Sequence, residues 1–210
     1  MRIFTEFRTT GAHPESRTGI TTSARKDFLD DGGANLAVVL FEMDFHGFRN
    51  RIKLYLKRFC DRFEDVKVRL NGSVAETHLQ EAGLLESIPG LRMSDGTLKF
   101  LCLLVVLLNP DPPPLVCIEE PELGLHPDAL QIVADLLIEA SERTQLIVTT
   151  HSDALIDALS SRPESVLVCE RDLDNGTQLK RLDKKQLSVW LKRYSLGELW
   201  RKGEIGGNPN

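Results

Sequence analysis

The sequence predicts an α/β fold, with a parallel sheet flanked by helices in the second half of the chain and a small helix-plus-hairpin element before it. First, residues 94–160 follow the order helix, strand, helix, strand, helix. Second, the strand segments 115–120 and 145–152 are rich in apolar residues, as is typical of parallel strands covered on both faces. Third, the alternating segment 66–79 predicts an antiparallel hairpin in the first half.

The first half of the chain predicts one amphipathic helix followed by that hairpin. Residues 1–35 are polar and are interpreted as a loop, or as an edge that belongs to something else. Residues 46–63 have helical spacing, and the hairpin turns at Asn71-Gly72. The apolar face of the helix consists of Phe48, Ile52, Tyr55, Leu56, Phe59 and Phe63. The opposite, basic face consists of Arg49, Arg51, Lys53, Lys57, Arg58 and Arg62.

The second half predicts the flanked sheet. A helix begins at the cap-type residues Ser94 and Asp95, is apolar all round and therefore buried, and is broken by NPDPPP. The amphipathic helix 126–143, with Pro127 near its first turn, separates the two strands. A short helix at 153–160 follows the second strand. Next come two strands around Asp174-Asn175-Gly176 (165–182) and a last helix capped by Asp183 (183–194).

Composition and charge indicate a soluble protein with one substantial domain, or one domain with an appendage. Of the 210 residues, 41% are hydrophobic and 27% are charged, which is ordinary for a globular chain. The net charge of −5 argues against a polycation that coats nucleic acid or anionic membranes. The longest apolar run, 101–108, is shorter than the roughly 20 residues that span a bilayer. No signal-peptide pattern opens the chain, so we expect a cytoplasmic protein without membrane contact.

Three motifs follow one another in the second half: MSDGT at 93–97, CIEEPE at 117–122 and TTHS at 149–152. Taken singly, each has a structural explanation, such as a helix cap, a solvated strand edge or a packed histidine. Their conjunction is more specific. The acidic and histidine motifs both follow strands of the predicted parallel sheet, and ligands bind at the carboxyl ends of such strands.

Together these motifs resemble the second half of an ATP-binding-cassette-type ATPase, in the AAA/SMC-like branch that includes chromosome-maintenance, recombination-repair and phage-defence ATPases. MSDGT resembles the signature motif, LVCIEE the Walker B motif, ELGLHP the D-loop and TTHS the switch-histidine motif. The resemblance covers residues 91–170, and a weaker similarity is present at 30–40. It implies a P-loop NTPase-like fold that uses ATP and Mg²⁺.

The resemblance also implies a role for each matching residue at the hydrolysis site. Glu119 would hold Mg²⁺ through water, and Glu120 would be the catalytic base that orients and polarises the attacking water. His151 would donate a hydrogen bond to the γ-phosphate. The cation would make two adjacent carboxylates tolerable, since they otherwise repel each other.

The remaining motif residues are implied to act across a dimer in which each nucleotide is sandwiched between two subunits. The free N–H groups at the start of a helix suit a phosphate, here one that belongs to the nucleotide of a second ATPase subunit. The nucleotide-binding residues in the signature motif are Ser94, Asp95, Gly96 and Thr97. The D-loop residues at the interface are Gly124, Leu125 and His126.

Two departures from the family pattern affect the functional prediction. Glu119 stands where Asp is more common, and one added methylene can still reach the metal or its water. More importantly, GxxxxGK[ST] is absent from the sequence. The glycine clusters DDGGAN and GEIGGNPN lack the lysine and hydroxyl that hold phosphate and Mg²⁺, and the Q-loop glutamine is not identified. We expect ATP hydrolysis by the intact protein and little activity from this chain alone.

The chain is therefore interpreted as the carboxyl-terminal part of an ATPase whose first lobe is missing, through truncation, a split gene or loss. The expected domains are 1–40, an exit of that lobe; 41–90, the helix-plus-hairpin element; 91–185, the second half of the ATPase core; and 186–210, a helix and tail. The alternative function is a non-enzymatic half-ATPase that supplies its signature motif to a partner.

Weaker signals suggest three further sites. The basic helix 49–62 is a candidate DNA contact, although such faces are usually solvated. Asp172 and Asp174 superficially resemble the acidic pair of Toprim nucleases, but a β-turn is favoured. Zinc binding by Cys117, His126 and His151 is disfavoured because their spacing is not that of ligands. The cysteines, Cys60, Cys102, Cys117 and Cys169, form no CxxC pair, which favours free buried thiols.

Overall fold

The computed structural model describes residues 1–7, 9, 15–172 and 176–206. The chain divides into two compact units, Met1–Thr149 and Thr150–Asn210. No helix in the described parts of the chain has the length and apolar character needed to cross a membrane.

The first unit contains a parallel sheet and a separate antiparallel sheet. The parallel sheet has three strands in the order β1-β6-β7, and the antiparallel sheet has the order β2-β4-β3 with β5 beside β4. The strands are β1 (Arg2–Phe4), β2 (Ile20–Thr21), β3 (Phe63–Asn71), β4 (Val74–Glu81), β5 (Ile88–Pro89), β6 (Leu115–Glu119) and β7 (Gln145–Thr149). The helices are α1 (Leu36–Phe45), α2 (Arg49–Phe59), α3 (Asp95–Leu107) and α4 (Pro127–Ala140).

The prediction that the parallel strands are covered on both faces was wrong. In register, Ile3 lies beside Cys117, and Cys117 lies beside Ile147. Ile3 is 43% exposed and Ile147 is 51% exposed, whereas Val116 and Ile118, which alternate with Cys117 along β6, are buried. Side chains of successive strand residues point to opposite faces, so one face of this sheet is open. We call Ile3, Cys117 and Ile147 the open sheet face.

The expected loop at the start of the chain contains a strand of this sheet. Residues Arg2–Phe4 form β1, which pairs in parallel with β6. Its apolar pattern is too short to identify a strand from sequence, and pairing with a distant strand stabilises it. β1 is therefore an edge strand, as one interpretation of this segment expected, but the sheet to which it belongs is formed by this chain itself.

Helix α3 is the centre of the first unit, as its sequence predicts. Buried positions occur all around its axis, and Phe100, Leu101 and Leu104 are fully buried. The ring of Phe100 stacks on that of Phe59 in α2, with centroids 4.1 Å apart and planes at 12°. The helix ends at Leu107 with Leu108 as its C-cap, and the side chain of Asn109 donates to the carbonyl oxygen of Asp27 at 2.8 Å.

The helix-plus-hairpin element forms with one additional helix, but the predicted helix 46–63 was too long, since α2 ends at Phe59 and Phe63 begins β3. β3 and β4 pair from Phe63–Glu81 to Asn71–Val74, so the turn falls at residues 72–73, one residue later than the predicted Asn71-Gly72. The additional helix is α1, whose start is organised by Asn35, a completely buried residue. The amide of Asn35 accepts from the N–H of Asp30 and donates to the carbonyl oxygens of Arg25 and Phe28.

The basic face of α2 is largely engaged in ion pairs within the unit. Arg49 and Lys53 pair with Asp65 on β3, and Arg49 also pairs with Asp44. Two more arginines, Arg51 and Arg58, pair with Glu139 and Asp135 on α4. These carboxylates neutralise positive charge that would otherwise attract the phosphate backbone of DNA. DNA contact by residues 49–62 stays a prediction.

Glu139 joins α2 to α4 and gives the stability of the protein a pH dependence. Burial by itself would raise the pKa of Glu139, but hydrogen bonds from Tyr55 and Arg51 outweigh it, and the pKa lies below its ordinary value. The Tyr55 hydroxyl donates at 2.8 Å. A depressed folded-state pKa contributes stability above the unfolded pKa of about 4.3, and this contribution is lost as the pH falls through the folded value.

We therefore expect Glu139→Gln to lower the free energy of unfolding at pH 7, with a smaller deficit as the pH falls below about 4.3. Urea unfolding between pH 7 and pH 3 measures this difference. Glu142→Gln, at an exposed turn just after α4, is the matched control and should follow the wild type. A loss of unfolding free energy that is the same at every pH would contradict the lowered pKa of Glu139.

The second unit has its own small core, formed by Ile156, Val168, Leu182, Leu196, Leu199 and Ile205. Its elements are α5 (Asp153–Ala158), β8 (Leu167–Asp172), β9 (Gly176–Arg181), α6 (Lys184–Leu187) and α7 (Leu196–Arg201). The predicted antiparallel pairing of the two strands is confirmed, from Leu167–Arg181 to Asp172–Gly176. The predicted turn residues Asp174 and Asn175, and with them half of the weighed acidic pair, lie outside the described residues.

The predicted last helix, 183–194, was too long. Asp183 caps α6 as expected, accepting from the N–H groups of Lys185 and Gln186. The α-helix ends at Leu187, before the exposed Val189 and Trp190, and only a 3-10 turn, Trp190–Lys192, follows in the predicted range. The tail instead contains α7, which begins with a capping box between Ser195 and Glu198.

The cysteines are free, but only Cys102 is buried. Cys60 and Cys117 are half-buried and Cys169 is exposed. Burial raises the pKa of the Cys102 thiol far above its ordinary value, so this thiol is inert at neutral pH.

Candidate functional site

The adjacent glutamates stand at the carboxyl end of β6. Glu119 is the last residue of the strand, is aligned with Thr149 at the end of β7, and is exposed. Glu120 is half-buried, and its N–H donates to the carbonyl oxygen of Thr149 at 3.0 Å. Because parallel strands end at the same edge of a sheet, the two carboxylates are held where ligands of α/β proteins bind.

Glu120 has an unusual backbone conformation. Its φ is +41°, and among the described residues it is the only non-glycine residue with a positive φ. The left-handed region costs a residue with a Cβ about 1–2 kcal/mol. The carbonyl oxygen of Glu120 then accepts from Leu123 at 3.0 Å, closing the turn after the strand. Strained residues of this kind cluster at functional sites, which makes Glu120 the leading candidate for a reactive role.

The MSDGT segment begins α3, as its cap residues predict. Ser94 is the N-cap, and its hydroxyl oxygen accepts from the N–H of Thr97 at 3.1 Å. The hydroxyl groups of Ser94 and Thr97 lie 2.8 Å apart. Thr97 is buried, whereas Ser94 is exposed. The N–H groups of Asp95 and Gly96 belong to the first turn, where the helix offers no carbonyl partner, so this end of α3 is suited to an anion.

The structure brings the MSDGT segment against the loop that follows Glu120. A Cβ added to Gly96 would lie 3.0 Å from the carbonyl oxygen of Gly124, so the two main chains meet closely. The Lys99 ammonium donates to the carbonyl oxygen of Leu123 at 3.2 Å. Gly124 itself has φ +76°, a conformation that favours glycine. The MSDGT segment and residues 123–124 of the ELGLHP motif are therefore parts of one surface.

Two side chains that shape this surface were not identified from the sequence. Lys99 was not singled out, although it lies on the same helix as Ser94. Arg17, in the segment interpreted as a loop, contacts Asp95 and the main chain before α3. No sequence signal identifies Arg17, because its partners at and before the start of α3 lie more than 70 residues away along the chain.

The two histidines of the motifs have different surroundings. His126 is exposed, and its Nδ1 accepts from the N–H of Asp128 at 3.3 Å, which caps α4. Leu125, beside it, is half-buried. His151 is exposed and follows β7, but it belongs to the second unit. The structure thus places Glu119 and Glu120 beside Thr149 at the end of β7. It places the MSDGT segment against residues 123–124.

The donor set at the strand end fits a hydrated Mg²⁺ that arrives with phosphates. Within the described ranges, no cluster of three or more His, Cys, Asp or Glu side chains could hold a metal ion. Mg²⁺ keeps several waters and is usually bound by one or two carboxylates together with substrate phosphates. The exposed carboxylate of Glu119 would supply one such ligand, and the neighbouring half-buried Glu120 would be placed to orient a water.

A sequence profile matches most of the chain. The family is described as "AAA domain, putative AbiEii toxin, Type IV TA system", and its profile matches residues 20–157. The matched region includes all three motifs, the helix-plus-hairpin element and both long strands of the parallel sheet.

Solved structures with a similar fold are SMC head domains. A chain from a study of ATP-driven dimerization and DNA-stimulated activation of SMC ATPases is 16% identical, with a TM-score of 0.51 over 73% of this chain and 94% of that one. The Smc head of Pyrococcus furiosus with an extended coiled coil, bound to the C-terminal domain of ScpA, is 18% identical, with a TM-score of 0.55 over 73% and 39%.

A further Smc head, bound to the C-winged helix domain of ScpA, is 18% identical, with a TM-score of 0.55 over 70% of this chain and 46% of that one. The present chain thus spans less than half of the length of these two Smc head chains. At these identities the likeness establishes the fold, which is the P-loop NTPase-like fold of SMC heads.

Proposed function

Because this chain belongs to the AAA domain family whose profile matches residues 20–157, we propose that it forms the hydrolysis half of an SMC-like ATPase. The reaction is the hydrolysis of ATP to ADP and phosphate. The single observation that carries the proposal is the half-buried Glu120 at the carboxyl end of β6, held in a left-handed conformation next to the exposed Glu119.

Glu120 is the proposed general base. Its strained backbone fixes the position from which the side chain extends, and the main-chain hydrogen bonds of Glu120 with Thr149 and Leu123 hold that conformation. From there the carboxylate can accept a hydrogen bond from the attacking water and orient it in line with the γ-phosphate.

Glu119 is the proposed Mg²⁺ residue, binding the ion through water. The ion supplies neutralisation of the phosphate charge when bound. His151 is proposed to donate to the γ-phosphate, since the chain continues to it directly from the end of β7. Each of these roles follows the resemblance, and the strand-end position of the two glutamates supports it.

The MSDGT segment and the following loop are proposed to face a second ATPase subunit. Ser94, Asp95, Gly96 and Thr97 would receive the partner's nucleotide, and Gly124, Leu125 and His126 would contact the partner beside it. The close approach of Gly96 to Gly124 supports this proposal, because residues on one surface can engage one partner. ATP-driven dimerization is described for SMC ATPases of similar fold.

The phosphate-binding loop is proposed to come from a lobe outside this chain. The sequence contains no GxxxxGK[ST], and without such a loop little holds the phosphates in place. The open sheet face supports the proposal, because parallel sheets are normally covered on both faces. A lobe that packs on Ile3, Cys117 and Ile147 would bury them beside the strand end that bears Glu119 and Glu120.

We expect this chain alone to hydrolyse ATP at near-background rates and the intact ATPase, with its phosphate loop, to turn over. Ile147→Asp should keep the chain folded, since Ile147 is 51% exposed, but should prevent association with the lobe. Leu179→Asp, at another exposed strand position, is the matched control. Phosphate release and co-purification of the two parts measure both effects.

Robust hydrolysis by the isolated chain would contradict the proposed need for a lobe. Association that is insensitive to Ile147→Asp would contradict its proposed docking face. Nucleotide-dependent dimerisation without any turnover in the intact protein would favour the alternative, a non-enzymatic half-ATPase that supplies its signature motif to a partner.

A further inference from the structure

Arg17 connects the start of the chain to the MSDGT segment. It ends the 3-10 turn Glu15–Arg17, and its side chain is only 14% exposed. Its Nε donates to the carbonyl oxygen of Thr9 at 2.6 Å. One terminal nitrogen donates to the carbonyl oxygens of Met93 and, at 3.4 Å, Leu91. The other pairs with the carboxylate of Asp95.

This arrangement fixes the main chain immediately before α3. The planar guanidinium presents several N–H donors in a rigid fork, and here the fork spans residues 91, 93 and 95. The turn that carries Arg17 also lies close to Gly90, where an added Cβ would be 3.0 Å from the carbonyl oxygen of Arg17. Ser94 stands between two residues held by the same side chain, so its position depends on Arg17.

The charge of Arg17 matters because Asp95 is a carboxylate in the first turn of a helix proposed to receive a phosphate. Its side chain is 46% exposed, and an unpaired carboxylate there would repel the negative phosphate. Lys99, one turn further along α3, donates to Leu123 instead. The cation that pairs with Asp95 in the structure is Arg17.

We propose that Arg17 is a positioning residue for nucleotide engagement in trans. It neutralises Asp95 and fixes the main chain around Ser94, so that the start of α3 can accept the phosphate of a nucleotide bound by the second subunit. The inference rests on the proposed function and deepens it. It concerns dimerisation around ATP rather than the binding of ATP by a subunit's own phosphate loop.

The test is a charge cycle in the intact ATPase. Arg17→Met, Asp95→Asn and the double variant are compared with the wild type, and Arg25→Met is the matched control. Arg25 lies in the same part of the chain and is 4.0 Å from Asp30. The readouts are ATP-dependent dimerisation by analytical ultracentrifugation, binding of a fluorescent ATP analogue to the monomer, and the thermal midpoint of unfolding.

We expect Arg17→Met to weaken ATP-dependent dimerisation about tenfold or more, as loss of a charge-assisted hydrogen-bond partner commonly does, while analogue binding to the monomer is unchanged. The double variant should recover part of that loss, because it removes the carboxylate that Arg17 neutralises but does not restore the contacts of Arg17 with the carbonyl oxygens of Leu91 and Met93. Arg25→Met should dimerise like the wild type. If Arg17→Met does not fold, Arg17→Gln gives the same test, since it removes the charge and keeps a donor.

Two results would overturn the inference. In the first, Arg17→Met dimerises like the wild type. In the second, the double variant dimerises as poorly as Arg17→Met, so that removing Asp95 brings no recovery. A wild-type protein that does not dimerise with ATP would instead overturn the proposed function, and the two failures are therefore distinguishable.

Discussion

Glu120→Gln in the intact ATPase should lower kcat for ATP hydrolysis by about 100-fold to 10,000-fold, which is the usual contribution of a general base. The amide has nearly the shape of the carboxylate but cannot accept the proton from the attacking water. ATP binding should persist, because the phosphates are held by other groups. Steady-state phosphate release gives kcat, and equilibrium titration with a fluorescent analogue gives the affinity.

The control is Glu142→Gln, which makes the same chemical change in the loop that leads into the opposite, amino end of β7. It should turn over like the wild type. Glu120→Gly gives an independent test of the strained backbone at φ +41°. In Glu120→Gly, relief of the left-handed strain offsets the entropy that glycine loses on folding. The free energy of unfolding of this variant should therefore stay within about 1 kcal/mol of the wild-type value. Turnover by Glu120→Gln at the wild-type rate would contradict the role of Glu120.

Phe100→Ala should destabilise the first unit by about 3–5 kcal/mol, because it removes a fully buried ring and leaves a cavity. The ring also stacks on Phe59 at 4.1 Å, and such aromatic pairs add about 0.5–1.5 kcal/mol. Urea unfolding followed by far-UV circular dichroism measures the loss. Hydrogen exchange at the amides of α3 shows whether it is localised there.

Phe45→Ala is the matched control, since Phe45 is 80% exposed, and its effect should stay within about 0.5 kcal/mol. Equal effects of the two substitutions would contradict the central position of α3. The comparison bears on function because α3 begins at Ser94. A loosened core should increase hydrogen exchange in the same turn that is proposed to receive the partner's phosphate.

The local elements of the site could be predicted because their signals are short-range. Ser94 caps α3, Pro127 opens α4 and Glu119 ends β6, as the order of residue types indicates. The assignment of Glu119 and Glu120 to a strand end needed only an apolar run and the rule that ligands bind at the carboxyl ends of parallel strands. The fold class followed from the same pattern and is confirmed by the likeness to SMC heads.

Other features could not be predicted because they depend on tertiary contacts. Ile147 lies between Gln145 and Thr149 on the open sheet face, and whether that face is covered depends on what packs there, not on β7 itself. The contacts of Arg17 join residues far apart in the chain. The apolar residues of α1 are buried on several sides, so no helical periodicity marked them.

The capping box of α7 has a sequence signal, whereas the strained backbone of Glu120 has none. The capping box of α7 is readable as Ser195 followed by Glu198, and it marks a helix in the segment interpreted as a tail. The backbone strain at Glu120, in contrast, has no sequence signal, since residues at positive φ are usually glycine or asparagine. The resemblance already assigns the role of base to Glu120, and the strained backbone is the structural feature that sets Glu120 apart from Glu119.

The most direct test of the central claim is a crystal structure of the Glu120→Gln ATPase, with its phosphate loop, in complex with ATP and Mg²⁺. We expect the γ-phosphate at the carboxyl end of β6, with a water between it and residue 120. We also expect Ser94 of a second subunit at the same phosphate. ATP bound away from the Glu119 strand end, with no contact from α3 of either subunit, would contradict the proposed site.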